Sequence, residues 1–376
     1  MTQANIVSGE RSDCQTLPDN ITGPGVFYLW LPSAWSIEKL HGYLRDGQWH
    51  YQVTDENRCF LVSLDGGELG GLCDGISGLL TATEFQAARA LFKPGTGELS
   101  VSDFPKVQTL GQLAALSQAG WLLNMLSEQR LTTFFQPIVW TNEPTKVYAQ
   151  ECLLRGIEND GSLLYPAYIF GVARASQLMF QTDLAARGMA IREAARHNVK
   201  SNLFINFTPT SIYDPAYCLR STVRAIREVG IPHENVVFEV TETDKIYGID
   251  HLRDIVNYYR EFGFRIALDD IGSGYSSLNL IHHLRPDFIK LDMHLIRRVD
   301  QDLYKATIAR KILEIAQELD IRTVAEGIET TEEMNWVRDH GATFAQGYLI
   351  AKPSTLPLIE PVYSRQTRPM PDKGIL

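Results

Sequence analysis

The chain offers no cysteine pattern to build on. Its five cysteines (Cys14, Cys59, Cys73, Cys152 and Cys218) are odd in number and none stands in CxxC spacing, so neither a disulfide framework nor a thiolate metal cluster is indicated. No apolar run approaches the roughly 20 residues of a membrane helix, and a membrane role is not expected. The opening stretch, MTQANIVSGERSDC, lacks the basic start and apolar core of a secretory leader, which points to a cytoplasmic setting. Basic clusters are missing as well. With 35 Lys and Arg against 45 Asp and Glu, the formal net charge is −10, which argues against a groove for a nucleic-acid polymer. What remains is an ordinary globular composition of 376 residues, 44% hydrophobic, able to bury a sizeable core and long enough for two domains.

Against that background, seven acidic residues and one amide recur at or just past the ends of strand-like runs. They are Glu151 in AQECLLR, Asn206 in LFINFTP, Glu239 and Glu242 in VVFEVTE, Asp269 and Asp270 in RIALDDIGSG, and Glu326 and Glu329 in TVAEGIE. FIKLD adds Lys290 and Asp292. A single Glu at a strand end is an ordinary loop or cap residue. Repetition at the same structural place is different, because each buried carboxylate needs a partner or a cation. Oxygen-only donor sets suit Mg²⁺, Mn²⁺ or Ca²⁺, and such a site suits a hydrolase that clamps a phosphate between divalent ions. Bound cations would also reverse the local sign of the field for a small phosphorylated ligand.

From about Thr133 onward, short apolar strands alternate with amphipathic helical stretches. Strands are expected near Phe134–Val139, Val147–Arg155, Leu203–Pro209, Val236–Glu242, Arg265–Gly272, Phe288–Asp292, Arg322–Glu329 and Thr343–Ile350, with helices such as Ile249–Phe262 and Leu303–Leu319 between them. Eight βα repeats of this length describe an α/β fold, a TIM-type (β/α)8 barrel, with the carboxylates at the carboxyl ends of its strands. Alternation puts Lys290 and Asp292 on one side of their strand, and Glu239 with Thr241. Asp269 and Asp270 cannot both point inward from a regular strand, so at least one belongs to a turn, next to Gly272 and Gly274.

The N-terminal third reads as a separate, smaller α+β domain. Residues 1–24 form a polar tail, residues 25–109 a module with strands at GVFYLWLP, QWHYQV and CFLVSL, residues 110–130 a connecting helix, and residues 131–376 the barrel. Within the module, SIEKLHGYLRDG and Thr83–Phe92 are expected to be helical and Asp65–Gly71 a glycine-rich turn. The connecting helix, Leu110–Gln129, carries Leu113, Leu116, Leu123 and Leu126 on related faces.

The segments FQPIV, ECLLR, INFTP, FEVTET, LDDIGSGYSSL, FIKLD, AEGIE and QGYLIAKP, in this order, resemble the signatures of the EAL family of cyclic di-GMP phosphodiesterases. The resemblance runs from about Phe135 to Pro353. Two positions depart from the family pattern. The tripeptide of the family name is here Glu151-Cys152-Leu153, and Ile271 stands where the family usually has Phe. Neither change removes a ligand.

The resemblance implies a role for each matching residue. Glu151, Asn206, Glu239 and Asp269 would hold one divalent ion, and Asp269, Asp270 and Glu326 the second. Lys290 would sit beside the attacking water, held by Asp292, and Glu242 would anchor the loop of Asp269 and Asp270. Lys290, Glu326 and Asp270 would be the catalytic groups, while Gln136, Arg155, Glu329 and Gln346 would contact the nucleotide or order the shell around the metals. The implied cofactor is Mg²⁺ or Mn²⁺, two per site, the substrate cyclic di-GMP and the assembly a homodimer. The N-terminal module would regulate this site. The rival reading is a non-catalytic cyclic di-GMP receptor or interaction protein on the same barrel.

Overall fold

The computed structural model describes residues 17–18, 21, 23–54, 58–96, 99–209, 212, 214–241, 248–272 and 277–359. Two compact units result, one of Met1–Arg130 with Ala167–Thr182 and one of Leu131–Pro166 with Asp183–Leu376.

The first unit runs β1 (Gly25–Trp30), α1 (Ala34–Asp46), β2 (Tyr51–Thr54), β3 (Cys59–Leu64), α2 (Leu69–Leu79), α3 (Ala82–Ala87), β4 (Arg89–Pro94), β5 (Gln108–Thr109), α4 (Leu110–Gln118) and α5 (Gly120–Ser127). Its strands make one antiparallel sheet in the order β2-β3-β1-β4-β5. Capping boxes start α1 (Ser33 with Ser36) and α3 (Thr81 with Glu84). The Ser33 hydroxyl also donates to Glu84 Oε1 at 2.8 Å, so one carboxylate ties the two helix starts together.

Three local expectations are corrected here. The helix expected over Thr83–Phe92 stops at Ala87, and Arg89–Pro94 is the strand β4 paired along all of β1. FQAARALF has good helical propensity, but sheet pairing buries Ala90, Leu91 and Phe92, and burial outweighs propensity. The single helix over Leu110–Gln129 is two, broken at Ala119 (φ −88°, ψ 9°) ahead of Gly120. The turn at Asp65–Gly71 is confined to its first residues, since α2 already begins at Leu69.

The second unit carries β6 (Leu131–Trp140), β7 (Val147–Ile157), β8 (Leu163–Leu164), α6 (Pro166–Ala175), α7 (Met179–Arg196), β9 (Asn202–Asn206), α8 (Pro215–Cys218), α9 (Arg220–Val229), β10 (Val236–Thr241), α10 (Ile249–Glu261), β11 (Arg265–Ile271), α11 (Ser277–Leu284), β12 (Phe288–Leu291), α12 (Met293–Ile296), α13 (Leu303–Glu318), β13 (Arg322–Ala325), α14 (Thr331–Asp339) and β14 (Phe344–Ala345); by contacts, most of α6 and the start of α7 group with the first unit. Strands β6, β7, β9, β10, β11, β12, β13 and β14 neighbour one another in chain order, and β14 returns to β6 to close an eight-stranded barrel. One strand differs from the plain parallel barrel: β6 is antiparallel to both β7 and β14. The connection between β6 and β7 explains this. It spans only residues 141–146, too short for a parallel crossover and long enough for a hairpin. The helices return the chain for the parallel strands with ordinary amphipathic spacing, as in α10, which buries Leu252, Ile255, Val256 and Tyr259.

The barrel's centre is filled by one side chain from each of its eight strands: Ile138, Ala149, Phe204, Val237, Ala267, Phe288, Val324 and Phe344. Large and small residues share this layer, and the rings of Phe204 and Phe288 meet edge to face at 5.2 Å. Phe288→Ala is expected to cost about 3–5 kcal/mol of unfolding free energy because the closed layer cannot collapse into the void. Urea unfolding followed by far-ultraviolet circular dichroism measures it.

Candidate active site

Each of those eight core residues has a polar neighbour two positions away, on the same strand or, for Glu326 and Gln346, just past its end. In the seven parallel strands it lies toward the carboxyl end: Glu151, Asn206, Glu239, Asp269, Lys290, Glu326 and Gln346. In antiparallel β6 it lies two positions earlier, at Gln136. A ring of polar side chains is therefore stacked directly on the apolar layer, at one end of the barrel.

At its centre is the Lys290 ammonium, 1% exposed. Its Nζ lies 2.7 Å from Glu239 Oε1, 2.7 Å from Glu326 Oε1, 3.2 Å from Glu151 Oε1 and 3.2 Å from Asp269 Oδ1. Burial works against the ammonium, but the carboxylates of Asp269, Glu151, Glu239 and Glu326 overcome it and hold Lys290 well above the usual lysine range. The carboxylates respond in the opposite direction. Glu239 and Glu326 are raised well above the usual range, chiefly by desolvation and then by neighbouring carboxylates, with Lys290 opposing.

Asp269 and Asp270 reach the site together because β11 is irregular. Its register with β12 shifts between Leu268 and Ile271, and Asp270 takes a left-handed backbone with φ 59°. The extra residue lets two consecutive carboxyls approach one place, which a regular strand forbids. Burial, and then the adjacent Asp269 carboxylate, push Asp270 up to about 6. Ile271 itself is fully buried in the strand.

Oxygen atoms of Glu151, Glu239 and Asp269 lie within 4.8 Å of one another, as do those of Asp269, Asp270 and Glu326, so Asp269 is common to both groups. The donors are all hard oxygens, and five carboxylates face one ammonium. Ionised together they leave four uncompensated negative charges. Two hard divalent cations fit this donor set and this charge. Asn206 Nδ2 donates to Glu239 Oε2 at 2.9 Å, which ties its amide to the first group. Gln346 Nε2 donates to Glu151 Oε2 at 2.5 Å, while its buried Oε1 accepts no hydrogen bond.

Above the ring opens a cleft of about 290 Å³. Of the residues expected at the site, Gln136, Glu151, Asp270, Asp292, Glu326, Glu329 and Gln346 line it, while Asn206, Glu239, Asp269 and Lys290 do not and belong to the ring beneath. Glu242 lies outside the described residues. One expectation needs correction. Asp292 does not hold Lys290. The strand ends at Leu291, and Asp292 caps α12 by accepting His294 N–H at 2.7 Å, with His294 Nδ1 at 2.9 Å from the same oxygen. Arg155 is buried between the rings of Phe134 and Tyr165, and its Nη1 donates to Leu154 O at 2.7 Å; burial lowers its pKa, while Tyr165 and the cleft residues Tyr348 and Glu151 raise it.

Sequence reasoning missed three residues that brace this ring. Glu333, 3% exposed, accepts the N–H groups of Arg298 (2.8 Å), Glu329 (2.8 Å) and Thr330 (3.1 Å), joining the segments after β12 and β13. Its signal was the Thr330-x-x-Glu333 capping-box spacing. Asp183, ion-paired with the buried Arg187, accepts Thr208 N–H at 2.9 Å and so braces the backbone beyond Asn206. Gly347 permits a close crossing, since a Cβ there would stand 2.1 Å from Ile328 O.

Comparison with known proteins agrees with this geometry. The family model described as EAL domain matches residues 119–353, well over half the chain, and the chain belongs to that family. It is similar to the protein named probable cyclic di-GMP phosphodiesterase PdeG of Escherichia coli (strain K12), 32% identical over 241 residues, which are 62% of this chain and 46% of that one. It is also similar to cyclic di-GMP phosphodiesterase NbdA of Pseudomonas aeruginosa, 28% identical over 64% of this chain and 31% of that one. The chain thus spans half or less of these relatives' length. Among solved structures, a standalone versatile EAL protein from Vibrio cholerae O395 in its c-di-GMP bound form aligns with TM-score 0.56 and 34% identity, over 61% of this chain and 95% of that one. Klebsiella pneumoniae BlrP1, in a manganese/cy-diGMP complex, aligns over 88% of this chain and 96% of that one with TM-score 0.54 and 21% identity, a likeness of fold that extends beyond the barrel.

Removing the central ammonium tests the charge argument. Lys290→Met is expected to cost about 3–5 kcal/mol in the absence of divalent cations, because four carboxylates lose their shared partner. Adding Mn²⁺ should raise its melting temperature more than that of the wild type, as read by calorimetry.

Proposed function

We propose that this chain is a metal-dependent phosphodiesterase that hydrolyses cyclic di-GMP to linear pGpG with Mg²⁺ or Mn²⁺. The observation that carries the reading is the pair of oxygen groups sharing Asp269, set around Lys290 at the floor of a cleft. The names of the curated relatives and the nucleotide in the Vibrio cholerae structure support the substrate class.

In this reading Glu151, Asn206, Glu239 and Asp269 hold one cation, and Asp269, Asp270 and Glu326 the other. Bound there, the two ions would supply charge neutralisation and an acidified water for in-line attack at phosphorus. Lys290, ion-paired with four of these carboxylates, offsets charge developing on the phosphoryl oxygens. Glu326 meets both Lys290 and the cleft; it receives the proton of the attacking water and returns it to the departing O3′ as the P–O3′ bond breaks. Gln136, Glu329 and Gln346 orient the nucleotide from the lining, and Arg155 offers its guanidinium to a phosphate oxygen.

We assign regulation to the N-terminal unit, whose sequence precedes a complete site. We also assign a homodimer to the outer face of α13. Tyr304 and Ile308 lie one turn apart there and are 84% and 52% exposed.

With purified protein and Mn²⁺, pGpG is expected from cyclic di-GMP in the wild type and none from Glu151→Ala or Asp269→Asn, by liquid chromatography. Asp270→Asn should bind nucleotide but turn over more slowly by about 100-fold or more; a normal rate refutes the two-cation arrangement. Light scattering should give a dimer for the wild type and a monomer for Ile308→Asp.

A further inference from the structure

Asn206, placed above with the first cation, stands where β9 leaves the sheet. Its pairing with β7 ends at Ile205, and its pairing with β10 ends at Asn206 itself. Beyond that point the ladder no longer fixes the chain, yet the carboxamide has to present its oxygen while Nδ2 stays on Glu239 Oε2. Two backbone N–H groups hold the exit. Phe207 N–H donates to Glu239 O at 3.1 Å, and Thr208 N–H donates to Asp183 Oδ1 at 2.9 Å. Between them the buried Phe207 ring packs edge to face on Phe238 and Tyr259, at 6.0 and 5.3 Å between centroids.

Asp183 lies on α7, 2% exposed, and is ion-paired with Arg187 one turn further on, 1% exposed. As a source of stability this pair is a poor choice. Both ions are desolvated, and Arg187 Nε and Nη2 are buried without a hydrogen-bond partner among the described residues. Apolar side chains of similar volume would pack α7 as well or better. What they could not do is accept the Thr208 N–H. Arg187 Nη1 holds one carboxylate oxygen, Oδ2, and the other is thereby set at Thr208.

We infer that Asp183 is a positioning residue for the first cation: oriented by Arg187, it fixes the backbone after β9 so that the Asn206 amide oxygen meets the ion. This rests on the function proposed above. Partners standing one step behind metal ligands typically account for about tenfold to hundredfold in metal affinity.

The test is Mn²⁺ binding by the full chain without nucleotide, read from the electron paramagnetic resonance signal of the free ion. Two double variants separate the roles. Asp183→Asn/Arg187→Met removes both charges but keeps an oxygen for Thr208. Asp183→Leu/Arg187→Met removes the charges and the acceptor together. The wild type should take up two ions. In Asp183→Leu/Arg187→Met the Kd of one ion should rise about tenfold or more, with the other within about threefold. Asp183→Asn/Arg187→Met should stay within about threefold of the wild type for both. Unchanged binding in Asp183→Leu/Arg187→Met, or an equal loss of binding or of fold in the two variants, would overturn the assignment. So would failure of Asp183→Leu/Arg187→Met alone to fold by circular dichroism, since the brace would then be structural. A wild type that takes up no Mn²⁺ would refute the cation assignment itself, and the proposed function with it.

Discussion

Everything at this site follows from confining five carboxylates around one ammonium on top of an apolar layer. Lys290 cannot be hydrated where it sits, and neither can Glu239, so each depends on the other and on their neighbours. The balance is incomplete by design of the residue set. One positive charge does not neutralise five, and desolvation drives the remainder either to take protons or to bind cations. The raised Glu239, Glu326 and Asp270 carboxyls are the sign of that deficit.

Such a concentration of like charge would push flexible loops apart, and the fold resists it mechanically. The ring residues stand on or immediately after strands whose neighbours are fixed by the barrel's closure. Beyond the strands, single buried carboxylates act as clamps. Glu333 takes three backbone donors from two segments, and Asp183 secures the turn after Asn206. Charges placed on such a scaffold are preorganised, so little reorganisation is needed when a ligand or cation arrives.

Much of this was legible in the chain. The order of strands and the ends at which Glu151, Glu239, Asp269, Lys290 and Glu326 sit came from period-two runs and short polar punctuation. The expectations that failed share a cause: they extended a local rule past the point where tertiary pairing took over. Alternation put Asp292 with Lys290, but the strand ends one residue earlier and a helix cap claims the carboxylate. Helical propensity covered Thr83–Phe92, but β1 claimed the second half as a sheet partner.

By itself the sequence determined which strand faces carry apolar and which carry polar side chains, because that depends only on a two-residue period. It also determined the character of the site, since oxygen donors without His or Cys have a narrow range of partners. Only the tertiary structure decided that β6 runs against its neighbours and that Asp270 turns left-handed, so that both aspartates enter one site. It alone placed Arg297 on the cleft wall. Those outcomes depend on which strands meet when the barrel closes, and closure joins residues more than a hundred positions apart that no local pattern relates.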